Sequence, residues 1–273
     1  MSSVNILSIA GSDPSGGAGV QADLKTFSAL GGYGMTVITA LTAQSTAGVT
    51  GVLEVPAEFV TRQLDTLLAD ARVDAVKIGM LATPGVIGAV AKAIDAHRLP
   101  HVVLDPVMVA TSGDRLLAAE AIEVVRAELL PRADLVTPNL PEAAALLGED
   151  AAGDLDAMRA QADRLLGLGA RRVLLKGGHL AGDTSSDVLV EAGADPQVFT
   201  AERVATRNTH GTGCTLSSAI AALRPQRPGF GAAVRDAKAY LTAALRHADT
   251  LDAGHGSGPV HHFHAWWPTA ATR

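Results

Sequence analysis

Short apolar runs alternate with amphipathic stretches along nearly all of the 273 residues, and this alternation restricts the fold more than any motif does. Val4–Ala10, Met35–Thr42, Val49–Val55, Asp74–Leu81, His101–Pro106, Asp134–Thr137 and Arg172–Lys176 read as strands. Helices are expected at Val20–Leu30 (Leu24 and Phe27 facing inward), Ala57–Ala71, Thr83–His97, Ala118–Leu129, from Pro138 to Leu147, and Asp154–Leu168. Asp187–Ala192 and Val198–Ala205 read as an antiparallel edge pair, and Phe230–Asp252 as a long last helix. Strands and helices taking turns build a mostly parallel sheet covered by helices. No repeat or linker divides the chain, so residues 1–273 are expected to form a single domain, with a C-terminal tail over 254–273.

Composition agrees with that architecture. Hydrophobic residues make up 48% and aromatic residues only 3%, so the core must be built from small aliphatic side chains that let helices pack closely on a parallel sheet. The net charge is −6 and no run of Lys or Arg occurs, which argues against nucleic acid or an anionic membrane surface as partner. One cysteine, Cys214, excludes a disulfide within the chain and fits a reducing, cytoplasmic setting. The first ten residues lack the basic start and apolar run of a secretory leader, and no apolar stretch reaches membrane-spanning length.

Parallel sheets bind ligands past the carboxyl ends of their strands. Gly11, Gln44, Gly79, Asp105, Asn139 and Lys176 all fall at or just beyond expected strand ends, which points to one crevice. The glycine-rich Gly11–Gly19 loop ends in no Gly-Lys-Ser/Thr, the first lysine being Lys25 inside the helix, and it is not G-x-G-x-x-G. A Walker site or a dinucleotide fold is therefore poorly supported. Gln44 offers both an acceptor and a donor to a heterocycle's edge, or bonds nearby backbone. Asp23 is either a ligand or a solvated charge favouring a helix start. Lys176 can neutralise phosphate or close an ion pair at the sheet rim. Asn139 and Glu142, three apart, suit Mg²⁺ directly or through water, and equally a capping box. Asp105 is a weaker candidate for the metal.

Asn208-Thr209-His210-Gly211-Thr212-Gly213-Cys214-Thr215 leads into a helix of small residues. The first N–H groups of a helix lack intrahelical partners and carry partial positive charge, so Thr209, Gly211, Thr212 and Gly213 are candidates to hold an anion, most readily phosphate. Cys214 at this helix start is either a thiol of lowered pKa, able to act as base or nucleophile, or a small buried hydrophobe. The tail histidines His255, His261, His262 and His264 fit local packing better than a metal site.

The stretches Ala10–Gly19 with Gln21–Thr26, Lys77–Leu81, Asp105–Met108, Thr137–Ala143, Leu175–His179, Asn208–Thr215 and Gly258–His262 span the chain. Together they make it resemble the hydroxymethylpyrimidine/phosphomethylpyrimidine kinases of thiamine biosynthesis, members of the ribokinase-like superfamily. The resemblance implies a three-layer α/β sandwich with ATP and Mg²⁺ as cosubstrate and metal. It implies phosphorylation of 4-amino-5-hydroxymethyl-2-methylpyrimidine and then of its monophosphate. By the same resemblance Asp23 and Gln44 read the pyrimidine's polar edge, and Gly11, Met80 and Val107 line it. Gly211–Cys214 form an anion hole, Lys176 contacts phosphate, and Asn139 with Glu142 organise Mg²⁺. Relatives are often dimers, which makes a homodimer one option, and the sequence itself leaves the oligomeric state open. Many sugar kinases of the superfamily place Asp as base where this chain has Cys214. A pyridoxal kinase of the same superfamily and a non-catalytic pyrimidine sensor are the alternatives.

Overall fold

Neighbouring residues of each strand go to opposite sides of one sheet. In the computed structural model, which describes residues 3–108 and 119–267, the chain runs β1 (Val4–Ala10), α1 (Gly19–Ala29), β2 (Gly32–Ile38), β3 (Ala40–Ser45), β4 (Gly48–Glu54), α2 (Ala57–Leu68), β5 (Ala75–Ile78), α3 (Pro84–His97), β6 (Val102–Leu104), α4 (Ala119–Val124) and β7 (Leu135–Val136). It continues through α5 (Leu140–Leu147), α6 (Leu155–Gly167), β8 (Arg172–Lys176), β9 (Thr184–Glu191), β10 (Gln197–Glu202), α7 (Thr212–Leu223) and α8 (Phe230–Arg246). The expected loop Val107–Asp114 is described only at Val107 and Met108. The expected helix start at Ala118 and the tail's last residues, 268–273, lie outside the described residues.

The main sheet has the order β10-β9-β8-β7-β6-β5-β1-β2. Pairs from β2 through β8 are parallel, and β9 and β10 form the antiparallel edge. Leu7, Ile9, Val76, Ile78, Val102, Leu104, Val173 and Leu175 pack under α2, α3, α5 and α6. Their neighbours Ile6, Ala75, Val103 and Leu174 pack under α1, α7 and α8. The result is a three-layer sandwich, as the alternation requires. Strand order reverses at β1, which lies between β2 and β5, so a crevice opens where Gly11 and Gly79 leave the sheet.

Two expected boundaries differ. The run Met35–Thr42 is not one strand: the chain leaves the sheet after Ile38, and β3 pairs with β4 in a separate two-stranded ribbon. The corner is fixed by buried Thr39, whose Oγ1 donates to Met80 O at 2.6 Å and whose N–H donates to Ala10 O at 3.0 Å. An uninterrupted apolar and threonine run hides such a corner. The last helix stops at Arg246 and gives way to a 3₁₀ turn, Ala248–Thr250, because Asp249 turns its carboxylate back onto Thr206 and Asn208. The ribbon leaves Leu41, Val52 and Leu53 exposed. No helix among the described residues is long and apolar enough to cross a membrane.

One polar island interrupts the layer under α1 and α7. Ser8 and Lys77 are register partners on β1 and β5. Lys77 Nζ lies 2.9 Å from both oxygens of Asp23 on α1, with both side chains fully buried. Ser8 and Ser218 each donate to Asp23 at 2.6 Å. Burial alone would lower the lysine's pKa, but the adjacent Asp23 carboxylate holds it above the usual value, so the pair is ionic. Removing one charge from a buried pair strands the other. Asp23→Asn is therefore expected to lower unfolding free energy by roughly 3 kcal/mol. Urea denaturation measures this, and a loss under about 1 kcal/mol would mean the pair is not the brace between sheet and helices.

Candidate active site

A cavity of about 710 Å³ runs along the carboxyl ends of β1, β5, β6 and β8, bounded by the start of α7 and by the ribbon. Its lining includes Gly11, Gln44, Met80, Asp105, Val107, Asn139, Glu142 and Lys176, together with Thr209 and Gly211–Cys214. These expected site residues therefore share one space. Asp23 does not line it. It lies a layer below, with its carboxylate committed to Lys77, Ser8 and Ser218, and it is Lys77 that reaches the cavity wall. The expected contact of Asp23 with a pyrimidine thus has no geometric basis.

At one end, Gly211 caps α7 with φ at 76°, and a Cβ there would stand 1.8 Å from Gly17 O. Only glycine permits both the left-handed backbone and this approach of two loops. No side chain caps the helix start; the Thr212 N–H turns back to Thr209 O at 3.3 Å, which leaves those of Gly213 and Cys214 to attract an anion. Close by, Lys176 Nζ donates to Asp105 Oδ1 at 2.8 Å and stands 3.9 Å from Glu142 Oε2. Burial would lower the Lys176 pKa, yet the Asp105 and Glu142 carboxylates raise it. Burial would raise Asp105, and the ammonium groups of Lys176 and Lys77 with the Thr137 hydroxyl bring it below the usual carboxylate range.

Asn139 and Glu142 form a complete capping box: Asn139 Oδ1 accepts from Glu142 N–H at 2.9 Å, and Glu142 Oε2 accepts from Asn139 N–H at 2.8 Å. Glu142 also accepts from the Met108 N–H. Both residues are thus engaged as helix caps, and the buried Glu142 and Asp105 carboxylates line the same cavity. Mg²⁺ prefers oxygen ligands and retains several waters. Two carboxylates already hydrogen-bonded to protein fit it through water. No group of three or more His, Cys, Asp or Glu suited to metal occurs among the described residues; of the tail histidines, His261, His262 and His264 pack onto the fold and His255 is exposed.

Beside the loop that leads into α7, Gln44 lies in β3, where its Oε1 accepts from Thr42 Oγ1 at 3.2 Å and its Nε2 is 3.4 Å from His210 Nε2. Cys214 occupies the first turn of α7. The thiol, half-buried against the cavity, is pushed up in pKa by desolvation, with the Lys77 ammonium and the Gly19 N–H only partly opposing it, the opposite direction from the lowered thiol that was one of the two expectations.

Sequence reasoning passed over Lys77, Asp13 and His210. Lys77 had a signal: it is the single charge inside a four-residue apolar strand. Asp13 and His210 had none, since their partnership joins loops 197 positions apart, with His210 Nε2 2.7 Å from Asp13 Oδ2. Burial would raise Asp13, but bonds from His210, Ser15 and the Ala18 N–H hold it down at about 2. This carboxylate ties the Gly11–Gly19 loop to the loop before α7.

A ribokinase-like sandwich whose strand ends gather a lysine, two carboxylates and an uncapped helix start defines a small-molecule kinase. The sequence model of the phosphomethylpyrimidine kinase family matches residues 13–261, and the chain belongs to that family. The hydroxymethylpyrimidine/phosphomethylpyrimidine kinase of Salmonella typhimurium is 56% identical over 267 residues, covering 98% of this chain and 100% of that protein. The phosphomethylpyrimidine kinase structure from Clostridium difficile is 40% identical with a TM-score of 0.78, covering 89% of this chain and 99% of that one. The pyridoxal kinase of Staphylococcus aureus, in complex with AMP-PCP and pyridoxal, is 33% identical with a TM-score of 0.89, covering 97% and 96%.

Burial pushes the Glu142 carboxyl up to about 7, Lys176 opposing and Asp105 reinforcing. The folded protein then keeps a proton that the unfolded chain, at the ordinary 4.5, has released. Glu142 therefore costs stability as pH rises from 4.5 to about 7. Thermal unfolding of Glu142→Gln across this window should lack a slope that the parent shows, roughly 1 kcal/mol per pH unit at its steepest. Identical slopes would place the carboxyl at its ordinary value.

Proposed function

We propose that the protein transfers the γ-phosphate of ATP to the hydroxymethyl group of 4-amino-5-hydroxymethyl-2-methylpyrimidine, and then to the resulting monophosphate. The observation that carries this reading is the convergence of Lys176, the uncapped start of α7 and the Gln44 amide on one cavity. Phosphoryl transfer asks for alignment and charge neutralisation more than for covalent help. In this reading the N–H groups of Gly213 and Cys214, with Thr209, Gly211 and Thr212 shaping the turn, hold the γ-phosphoryl oxygens. Lys176 neutralises the charge that moves from nucleotide to product. Gln44 donates to and accepts from the aminopyrimidine edge, and Gly11, Met80 and Val107 bound the ring. The adenine lies against the apolar wall of Val204, Leu241 and Leu245, which lines the same cavity. Glu142 and Asp105 hold Mg²⁺ through water, with Asn139 fixing the orientation of Glu142. That ion supplies charge neutralisation at the phosphates.

The carboxylate of Asp23 enters only indirectly, by holding Lys77 ammonium beneath the site. A second reading, phosphorylation of pyridoxal, draws on the likeness to the pyridoxal kinase of Staphylococcus aureus. A panel of the hydroxymethylpyrimidine, its monophosphate and pyridoxal, scored by ADP release, separates the readings. Turnover of both pyrimidine substrates is the expected result. Turnover of pyridoxal alone overturns the proposal, and ligand-induced stabilisation without any ADP release marks a sensor.

Because burial keeps the Cys214 thiol protonated, the residue shapes the anion hole and does not serve as base. A loose, metaphosphate-like transition state makes little demand on a base, and in the second step the nucleophile is already an anionic phosphate oxygen. Cys214→Ser should retain alcohol phosphorylation within about tenfold of the parent, since a positioned general base contributes roughly 10²–10⁴-fold. A loss beyond a thousandfold with pyrimidine binding intact would make the thiol the base.

A further inference from the structure

The Gly258–His262 stretch near the chain's end has no place in the chemistry above, yet all five residues are buried. The residues just before it reach two parts of the site at once. Gly256 N–H donates to Thr46 Oγ1 at 3.1 Å and Ser257 N–H to Thr46 O at 3.0 Å, in the turn two residues past Gln44. One step further, Gly258 N–H donates to Asn208 Oδ1 at 3.0 Å, and Gly258 O accepts from His210 N–H at 3.0 Å. Ser257 Oγ donates to Arg207 O at 2.9 Å. His210 and Pro259 pair as a parallel bridge.

The far end of the segment is anchored. His261 N–H donates to Ala244 O on α8 at 3.1 Å, and Tyr240 OH donates to His262 O at 2.7 Å. His262 Nε2 lies 3.1 Å from Thr215 Oγ1 on α7. A second cavity of about 360 Å³ is lined by Gln44 and His210 together with Gly256 and Ser257. The Thr46 turn and the His210 loop are joined beside it by hydrogen bonds from residues 256–258.

We propose that residues 256–258 are a positioning strap that sets the separation between the ribbon turn carrying Gln44 and the loop that leads into α7. The inference rests on the reading of Gln44 as pyrimidine contact and of the α7 start as phosphate contact. Steric fit gives each attachment its own probe. A Cβ at Gly256 would lie 2.0 Å from Thr46 O and 2.4 Å from Thr46 C, so the turn must move. A Cβ at Gly258 would lie 2.4 Å from Asn208 Oδ1 and 2.9 Å from its Cγ, so the side chain of Asn208 must move.

The test is steady-state kinetics on the full chain, with a melting temperature for each variant. Gly256→Ala is expected to raise the pyrimidine KM about tenfold and leave the ATP KM unchanged. Gly258→Ala is expected to lower kcat about tenfold at unchanged pyrimidine KM. Asn208→Ala removes the atoms that a residue-258 Cβ would strike, so the Asn208→Ala/Gly258→Ala double variant should match Asn208→Ala alone. Should Gly256→Ala fail to fold, Thr46→Ala deletes only the hydroxyl acceptor, and a rise of about threefold in the pyrimidine KM is expected. The strap is overturned if both glycine variants change kcat and both KM values together in step with melting temperature, or if the double variant multiplies the single effects. Gln44→Ala runs alongside. If it leaves the pyrimidine KM unchanged, the site reading fails and the Gln44 half of the inference with it. If it raises that KM while the Gly256 and Thr46 variants do not, the strap alone fails.

Discussion

The buried ion pair between Asp23 and Lys77 underlies the arrangement of everything above it. It joins α1 to β5, recruits Ser8 from β1 and Ser218 from α7, and so locks two strands to two of the helices whose N-termini face the cavity. A layer of purely aliphatic contacts would tolerate sliding between helix and sheet, whereas a satisfied charge pair permits one geometry. The same pair leaves a lysine ammonium under the floor of the site, where its field acts on Cys214 and Asp105.

Above that floor the site is assembled from backbone more than from side chains. Gly211 lies against Gly17 at a distance no Cβ would allow, and Asp13 with His210 holds the same two loops together by a hydrogen bond. Lys176 faces two carboxylates at the strand ends. Such pairing keeps the lysine charged and oriented before any ligand arrives, which lowers reorganisation during phosphoryl transfer. Glu142 serves two masters in this scheme, as cap of α5 and as a carboxylate lining the cavity.

The sheet was legible because its strands are short, apolar and separated by helices with clear starts such as Thr83-Pro84 and Asn139. The corner at Thr39 was not, since nothing in an apolar and threonine run distinguishes a strand from two strands meeting at a buried hydroxyl. In the site, the positions of Lys176 and the Gly211–Cys214 turn followed from a strand end and a helix start, whereas Gln44, expected just past a strand end, lies inside β3 of the ribbon. The burial of Asp23 was not legible, because a carboxylate near a helix start has the same sequence appearance whether it faces water or a lysine from a distant strand. The thiol stayed open between two readings for a related reason: a helix terminus is local and readable, while desolvation by the folded chain is not. The Asp13–His210 contact depends wholly on long-range closure of the chain.

The tail has an optical consequence. Both tryptophans of the chain, Trp266 and Trp267, lie within it. Trp266 is tethered to the end of α1 through its indole N–H on Ala29 O at 3.2 Å, and Trp267 stacks on Phe263 with ring centroids 5.6 Å apart. Tryptophan emission from this protein therefore originates at a single place, the docked carboxyl-terminal segment, and the rest of the sandwich contributes only the tyrosine emission of Tyr33 and Tyr240. Nature has put the chromophore on the one piece of chain that spans the site from outside, so detachment of that piece is visible without any label.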